Sequence, residues 1–290
     1  MGPINRASAG TAFTLVELLV VIGIIGILAS LLLSSFSGVL RRSKETVCVN
    51  NFRQIGIMFR LYGDEHEDGF PPSRVPGWDP VRNLPVSKRT DVAVGGVDPK
   101  GAHFMQTFPF ATNRPLHAYQ GNGDSFRCPV DKGHKAFPEW PICTDHEAKS
   151  SMFQTVGSSY RYNAGIGAPW DPNRAPPLPI ATKLPRYKSP PRMTYGEVEH
   201  PDRYILMNEP AAQPIGRRID QTTVVFYWSQ WHRRRGRSDF ADPTIAPNLF
   251  WSPVLFVDGH VGGHNFSKSV MTDPYYPYEE TRDWIWYQPK

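Results

Sequence analysis

Cysteine is scarce in this chain: Cys48, Cys128 and Cys143 are the only three in 290 residues. Three is too few for a disulfide-built scaffold, and no CxxC pair offers zinc spacing. Enzyme signatures are missing too. There is no GxSxG elbow, no P-loop, no HExxH and no nucleophile with an evident base, so the sequence reads as a non-enzyme with no catalytic residues and no cofactor. Charge is missing from one long stretch: from Phe13 to Leu40 the only charged side chain is Glu17. Proline is absent from Thr14 to Gly69, although the chain holds 29 prolines and 24 glycines.

What remains is ordinary in amount and uneven in distribution. The length fits one large or two small domains. A net charge of +5 permits contact with nucleic acid or anionic lipid without demanding it. Beyond the first fifty residues the chain is rich in Pro, Trp and Tyr, which predicts a loop-heavy domain with short strands.

The N-terminus reads as an address. Residues 1–12 are short and polar, with Arg6 their only charge, and Arg41, Arg42 and Lys44 close the apolar run. At 1.5 Å per residue, about 20 apolar residues cross a hydrocarbon core of about 30 Å, and Phe13 to Phe36 satisfies that length. Three readings compete. A secretory signal peptide has a shorter apolar core followed by a small-x-small cleavage site. A plain membrane anchor explains the length but not Glu17, since an acid inside hydrocarbon costs on the order of 2.5–3.5 kcal/mol and is normally paired. The third reading rests on the residues themselves. Ala12 followed by FTLVELLVVIGIIGILA resembles the processing signal of type IV prepilins and type II secretion pseudopilins.

That resemblance implies cleavage between Ala12 and Phe13 by a prepilin peptidase, N-methylation of Phe13, and a partner for Glu17 in the α-amino group of a neighbouring subunit. An amine and a carboxylate brought together in low dielectric offset each other's desolvation, whereas either alone is costly. Ala12 stands where the family more often has Gly. The implied organisation is a leader over 1–12, a transmembrane assembly helix over 13–40, an amphipathic continuation with an acidic turn over 41–69, and an exoplasmic loop-rich β domain over 70–290. The implied place is the bacterial inner membrane, crossed once. The implied task is that of a structural subunit of a pilus or secretion pseudopilus, assembled with like or related pilin subunits. A different class of function stays open: a membrane-anchored surface protein that binds polysaccharide or DNA and uses the signal only for sorting.

Past Leu40 the pattern changes. Cys48, Phe52, Ile55, Phe59 and Tyr62 are spaced 4, 3, 4, 3 and form one face of an amphipathic helix. Gly23 and Gly26, in the apolar half, each lower helix propensity by about 1 kcal/mol and permit close helix approach. The stretch from Cys48 to Pro72 resembles a group of prepilin-type proteins with an N-N-x-x-Q-I-G helix end, a Tyr, an acidic cluster and Phe-Pro-Pro. Cys128-Pro129-Val130-Asp131 and Asp258-Gly259-His260-Val261 match two later signatures of that group. Its closer His-to-Asp-Gly spacing is not met, since His232 lies 26 residues before Asp258. An oxidising exoplasmic side permits one disulfide among three connectivities. Cys128–Cys143 closes a local loop worth about 3 kcal/mol, whereas the resemblance implies Cys48–Cys128. Three buried thiols are the plain alternative.

The fold class expected is α+β and pilin-like: a long N-terminal helix, half membrane and half amphipathic, packed on a small antiparallel sheet with long Pro-rich loops. Residues 70–125 read as irregular, because Pro at that density rules out central strands. Strands are expected within Ser158–Tyr162, Arg203–Met207, Thr222–Trp228 and Pro253–Phe266. Asp258-Gly259 predicts a type I′ hairpin turn. Trp284 and Trp286 share a face of an extended tail, and dock on the body in preference to forming an exposed aromatic site.

Three constellations carry chemistry on paper. Asp64, His66 and Asp68 before Gly69 echo the start of a calcium loop but lack a later bidentate acid, so a solvated turn is the plainer reading. His260 and His264 are four apart on a strand, about 13 Å, too far for one metal. Arg233, Arg234, Arg235 and Arg237 beside Trp231 suit phosphates, an anionic polysaccharide or lipid headgroups, though one short run is more simply a solvated loop.

Overall fold

The computed structural model describes residues 14–100, 102–131, 151–165, 187–188, 190–210, 212, 216–218, 224–226, 232, 251–272 and 280–289. The chain divides into two compact units, Met1–Ser43 and Lys44–Lys290. Helix α1, Leu15–Glu65, supplies the described residues of the first unit and opens the second.

In the first unit the helix starts on a reciprocal cap. The Thr14 N–H and hydroxyl donate to Glu17 Oε2 at 2.9 and 2.7 Å, and the Glu17 N–H donates to Thr14 Oγ1 at 3.2 Å. This is the Thr-x-x-Glu capping box, which satisfies orphan amides of the first turn. Side chains from Leu15 to Leu31 are exposed, and nothing lies within 4 Å of a Cβ placed at Gly23 or Gly26.

The membrane assignment over 13–40 is corrected here, together with the single inner-membrane crossing and the membrane half of the expected fold class. Among the described residues no helix is long and apolar enough to cross a membrane. Glu17 also sits in the first turn of α1, where a carboxylate is costly inside hydrocarbon. The leader, the cleavage residues Ala12 and Phe13, and Cys143 lie outside the described residues, as do Arg233, Arg234, Arg235 and Arg237.

The second unit is built on the stripe. Cys48, Phe52, Ile55, Phe59 and Tyr62 are all buried, on a core that includes Tyr160, Tyr162, Leu206, Met207 and Leu255. Phe52 meets Tyr160 at 4.4 Å between ring centroids and Phe59 meets Tyr162 at 5.2 Å. The helix ends where Glu67 and Asp68 take positive φ, and Gly69 then bridges to Thr194.

Among the described residues ten short strands follow: β1 (Arg74–Asp79), β2 (Leu84–Arg89), β3 (Arg161–Tyr162), β4 (Tyr187–Lys188), β5 (Ile205–Asn208), β6 (Gly216–Arg218), β7 (Val224–Phe226), β8 (Trp251–Phe256), β9 (Val261–Asn265) and β10 (Gln288–Pro289). Short helices α2 (Ala102–Thr107), α3 (Met152–Val156) and α4 (Ser267–Thr272) and several one-turn 3-10 segments are also described. Among the described residues the small antiparallel sheet is β3-β5-β8-β9, and the pairs β1-β2, β4-β10 and β6-β7 lie outside it. The stretch read as irregular contains the β1-β2 hairpin. Its prolines, Pro76 and Pro85, are tolerated because each strand of a two-stranded ribbon is an edge. The Asp79 carboxylate turns it, accepting from Val81 and Arg82 amides at 2.9 and 3.0 Å.

The β8-β9 connection differs from the type I′ turn expected. Gly259 alone has positive φ, its N–H donates to Phe256 O, and the Phe256 N–H donates to His260 O. That is a three-residue loop with a glycine bulge. Trp284 and Trp286 are buried, but so is Ile285 between them, so the tail docks on both faces rather than on one.

A buried charge fixes the end of β2. Asp91 accepts from Arg89 at 2.6 and 3.1 Å, and Arg161 lies 3.7 Å away. Burial resists the carboxylate charge, but the two guanidiniums outweigh it and hold Asp91 below its ordinary range. Asp91→Ala is expected to cost about 3 kcal/mol, because two guanidiniums lose their buried anion. The depressed carboxyl adds stability that is present above its unfolded pKa of about 3.9 and is lost as pH falls through the lower folded value. Urea midpoints should therefore drop more steeply below about pH 4 in the parent chain than in Asp91→Ala.

Candidate functional site

Four side chains from four segments converge beside the sheet. The helical stripe delivers Cys48. Cys128 follows the one-turn 3-10 segment Asp124–Phe126, Glu209 follows β5 directly, and His232 comes from the segment between β7 and β8. All four are buried. The sulfurs of Cys48 and Cys128 are 2.9 Å apart, and both cysteines are free thiols. Cys128 Sγ lies 3.5 Å from His232 Nε2, and the same nitrogen lies 2.9 Å from Glu209 Oε1. Every pair of their candidate ligand atoms is within 4.8 Å.

Local chemistry holds each member. The Cys128 N–H donates to Ser159 Oγ, whose hydroxyl donates to Asp131 Oδ2 at 2.6 Å. Asp131 also accepts from the Met152 and Phe153 amides at the start of α3, so the Cys-Pro-x-Asp signature closes a loop around the cysteine. The Glu209 N–H donates to Ser252 Oγ on β8, and the His232 ring meets Trp251 edge-on at 5.7 Å.

The electrostatics are those of one coupled unit. Burial opposes a charge on His232, yet the Glu209 carboxylate and hydrogen bonds to Cys48 and Glu209 push it up to about 10. The hydrogen bond with Cys128, against burial and with help from His232, brings the Cys48 thiol down to about 7. Burial, then Cys48, pushes the Cys128 thiol up. Two sulfurs, one imidazole ring and one carboxyl group therefore share a dry pocket.

The other expected site residues are separate. Asp64, His66 and Asp68 do not converge: His66 Nδ1 bonds the Tyr62 carbonyl at 2.8 Å and its ring stacks on Tyr62, while Asp68 accepts from the Gly196 amide. His260 bonds Asp258 at 2.7 Å and stacks on Phe256, whereas His264 meets Phe256, Phe266 and Trp284 edge-on. Among the described residues the Cys48, Cys128, Glu209 and His232 group is the only such cluster, and neither Asp64-His66-Asp68 nor His260-His264 belongs to it. Comparison with protein-family models, curated proteins and solved structures finds no match.

Sequence reasoning missed Glu209 altogether. The available signal was an acid two residues after the apolar Ile205–Met207 run, where the strand end carries it into the interior.

Proposed function

We propose that the chain is a filament subunit, trimmed before Phe13 by a prepilin peptidase and assembled through its N-terminal helix with like or related pilin subunits. The observation that carries this reading is the exposed apolar stretch of helix from Leu15 to Leu31, with a single carboxylate at its head. Burying one Leu or Ile is worth about 1.5–3 kcal/mol, so a row of them is a strong driving force for helix association. The resemblance of FTLVELL to the prepilin signal says where trimming falls. It also supplies a cation for Glu17, a new α-amino group on a neighbouring subunit.

The capping box makes the test sharp. Hydrogen bonds from Thr14, backbone first and then side chain, lower the Glu17 carboxyl, so a purely local helix-start role competes with an assembly role. Gln serves as well as Glu at the third position of such a box. Glu17→Gln therefore keeps the cap and removes the charge. Filament yield in cells that hold the peptidase should fall at least tenfold in Glu17→Gln, with helix content unchanged by circular dichroism. Wild-type yield from Glu17→Gln would reduce Glu17 to a cap. Mass spectrometry of the isolated subunit should find N-methyl-phenylalanine at position 13, and retention of residues 1–12 would sink the filament reading.

A further inference from the structure

We propose that Cys48, Cys128, Glu209 and His232 form a closed structural site for a thiophilic divalent cation, zinc being the best match. The inference is independent of the filament reading. Four side chains of ligand type meet with candidate donor atoms within 4.8 Å of one another, all four buried. In a tetrahedral zinc site with bonds of about 2.0–2.3 Å, ligand atoms lie about 3.3–3.8 Å apart. The separations here, 2.9, 3.5 and 2.9 Å, need at most small outward shifts around a central ion.

A second observation points the same way. Glu209 Oε2 and His232 Nδ1 are buried with no hydrogen-bond partner among the described residues, and Glu209 is fully buried. An unpartnered carboxylate oxygen in a dry site is costly. A cation between the thiolates and the carboxylate removes that cost. Two thiolates with one imidazole favour zinc over calcium or magnesium, and the carboxylate disfavours copper(I).

Four protein ligands leave no open position, so the site is structural rather than catalytic. It binds α1 to the Cys128 loop, the end of β5 and the segment before β8. Because the ligands lie far apart in sequence, metal affinity becomes folding free energy of the Lys44–Lys290 unit. Two protons leave the thiols when both bind as thiolates.

The test uses the intact chain, purified with reductant and without chelator. Elemental analysis should find one zinc per chain. Exchange with Co²⁺ should give the ligand-field bands of tetrahedral cobalt and a thiolate-to-cobalt charge-transfer band. Glu209→Gln, close in shape and therefore expected to fold, should weaken Co²⁺ binding by about 100-fold, at least the loss seen for removal of an outer-shell partner. Cys128→Ser should abolish the charge-transfer contribution of that sulfur. Two results overturn the proposal. One is a reduced, folded chain that takes up no cobalt. The other is a Cys48–Cys128 disulfide in protein whose thiols were blocked at lysis, detected by peptide mapping, since a disulfide removes both thiolate ligands.

Discussion

Arg114→Met is expected to lower the unfolding free energy by about 4 kcal/mol, a large part of the 5–15 kcal/mol that holds a typical domain. Arg114 is buried, and its guanidinium is a hub for backbone carbonyls. It donates from Nε to Pro109 O at 3.1 Å, from Nη1 to Gly95 O at 2.5 Å and from Nη2 to Val156 O at 2.8 Å. Each such charged hydrogen bond is worth about 1.5–3 kcal/mol, and removing the donor leaves carbonyls dry and unpaired. Met keeps most of the stem volume, so the loss is chiefly polar. Two glycines surround the hub with positive φ, Gly96 and Gly157, and each would drive a Cβ into a backbone carbonyl, of Gly157 and of Val97 respectively. The loop therefore has no room to collapse onto the lost guanidinium. Urea unfolding followed by tryptophan fluorescence should show a lower midpoint with unchanged slope. Arg114→Lys should recover little, because an ammonium cannot span three carbonyls set by a planar fork. A loss under 1 kcal/mol in Arg114→Met would show that water replaces the fork.

Periodicity carried what was local. The spacing of Cys48, Phe52, Ile55, Phe59 and Tyr62 identified the buried face of α1, because a proline-free helix repeats its environment every 3.6 residues. Late strands were legible for the same kind of reason, as apolar runs between turn residues. Chemistry made by long-range convergence was not legible. Cys48 and Cys128 are 80 residues apart and His232 lies 104 beyond Cys128, and no spacing rule reaches that far. Glu17 shows a different failure. The Thr14-x-x-Glu17 box was present in the sequence, but the length of the apolar run drew the reading toward a membrane, and among the described residues that crossing is not supported. The Pro-rich stretch hid the β1-β2 hairpin because proline excludes central strands only, and this ribbon has none. Buried charges such as Asp91 and Arg114 look, in sequence, like any solvated loop residue.

Phe59→Ala should cost 3–5 kcal/mol, the range for removing a buried aromatic when the surrounding side chains relax only partly. Phe59 is fully buried on the stripe, with its ring against Tyr162, whose hydroxyl donates to the Pro71 carbonyl and so resists moving into the space. Ile57, two residues earlier on the same helix, is 62% exposed and serves as the control. Its replacement by Ala should change stability by no more than about 0.5 kcal/mol. The contrast separates packing from helix propensity, since both substitutions place the better helix former Ala in one turn of α1. Phe52 lies two turns away against Tyr160, about 10 Å along the axis, so its loss should add to that of Phe59 to within about 0.5 kcal/mol. The double variant then loses about 6–10 kcal/mol, comparable to the 5–15 kcal/mol that holds a typical domain, so the Lys44–Lys290 unit should be largely unfolded. If Phe59→Ala and Ile57→Ala shift the urea midpoint equally, the stripe does not hold the helix to the sheet and the core has been misplaced.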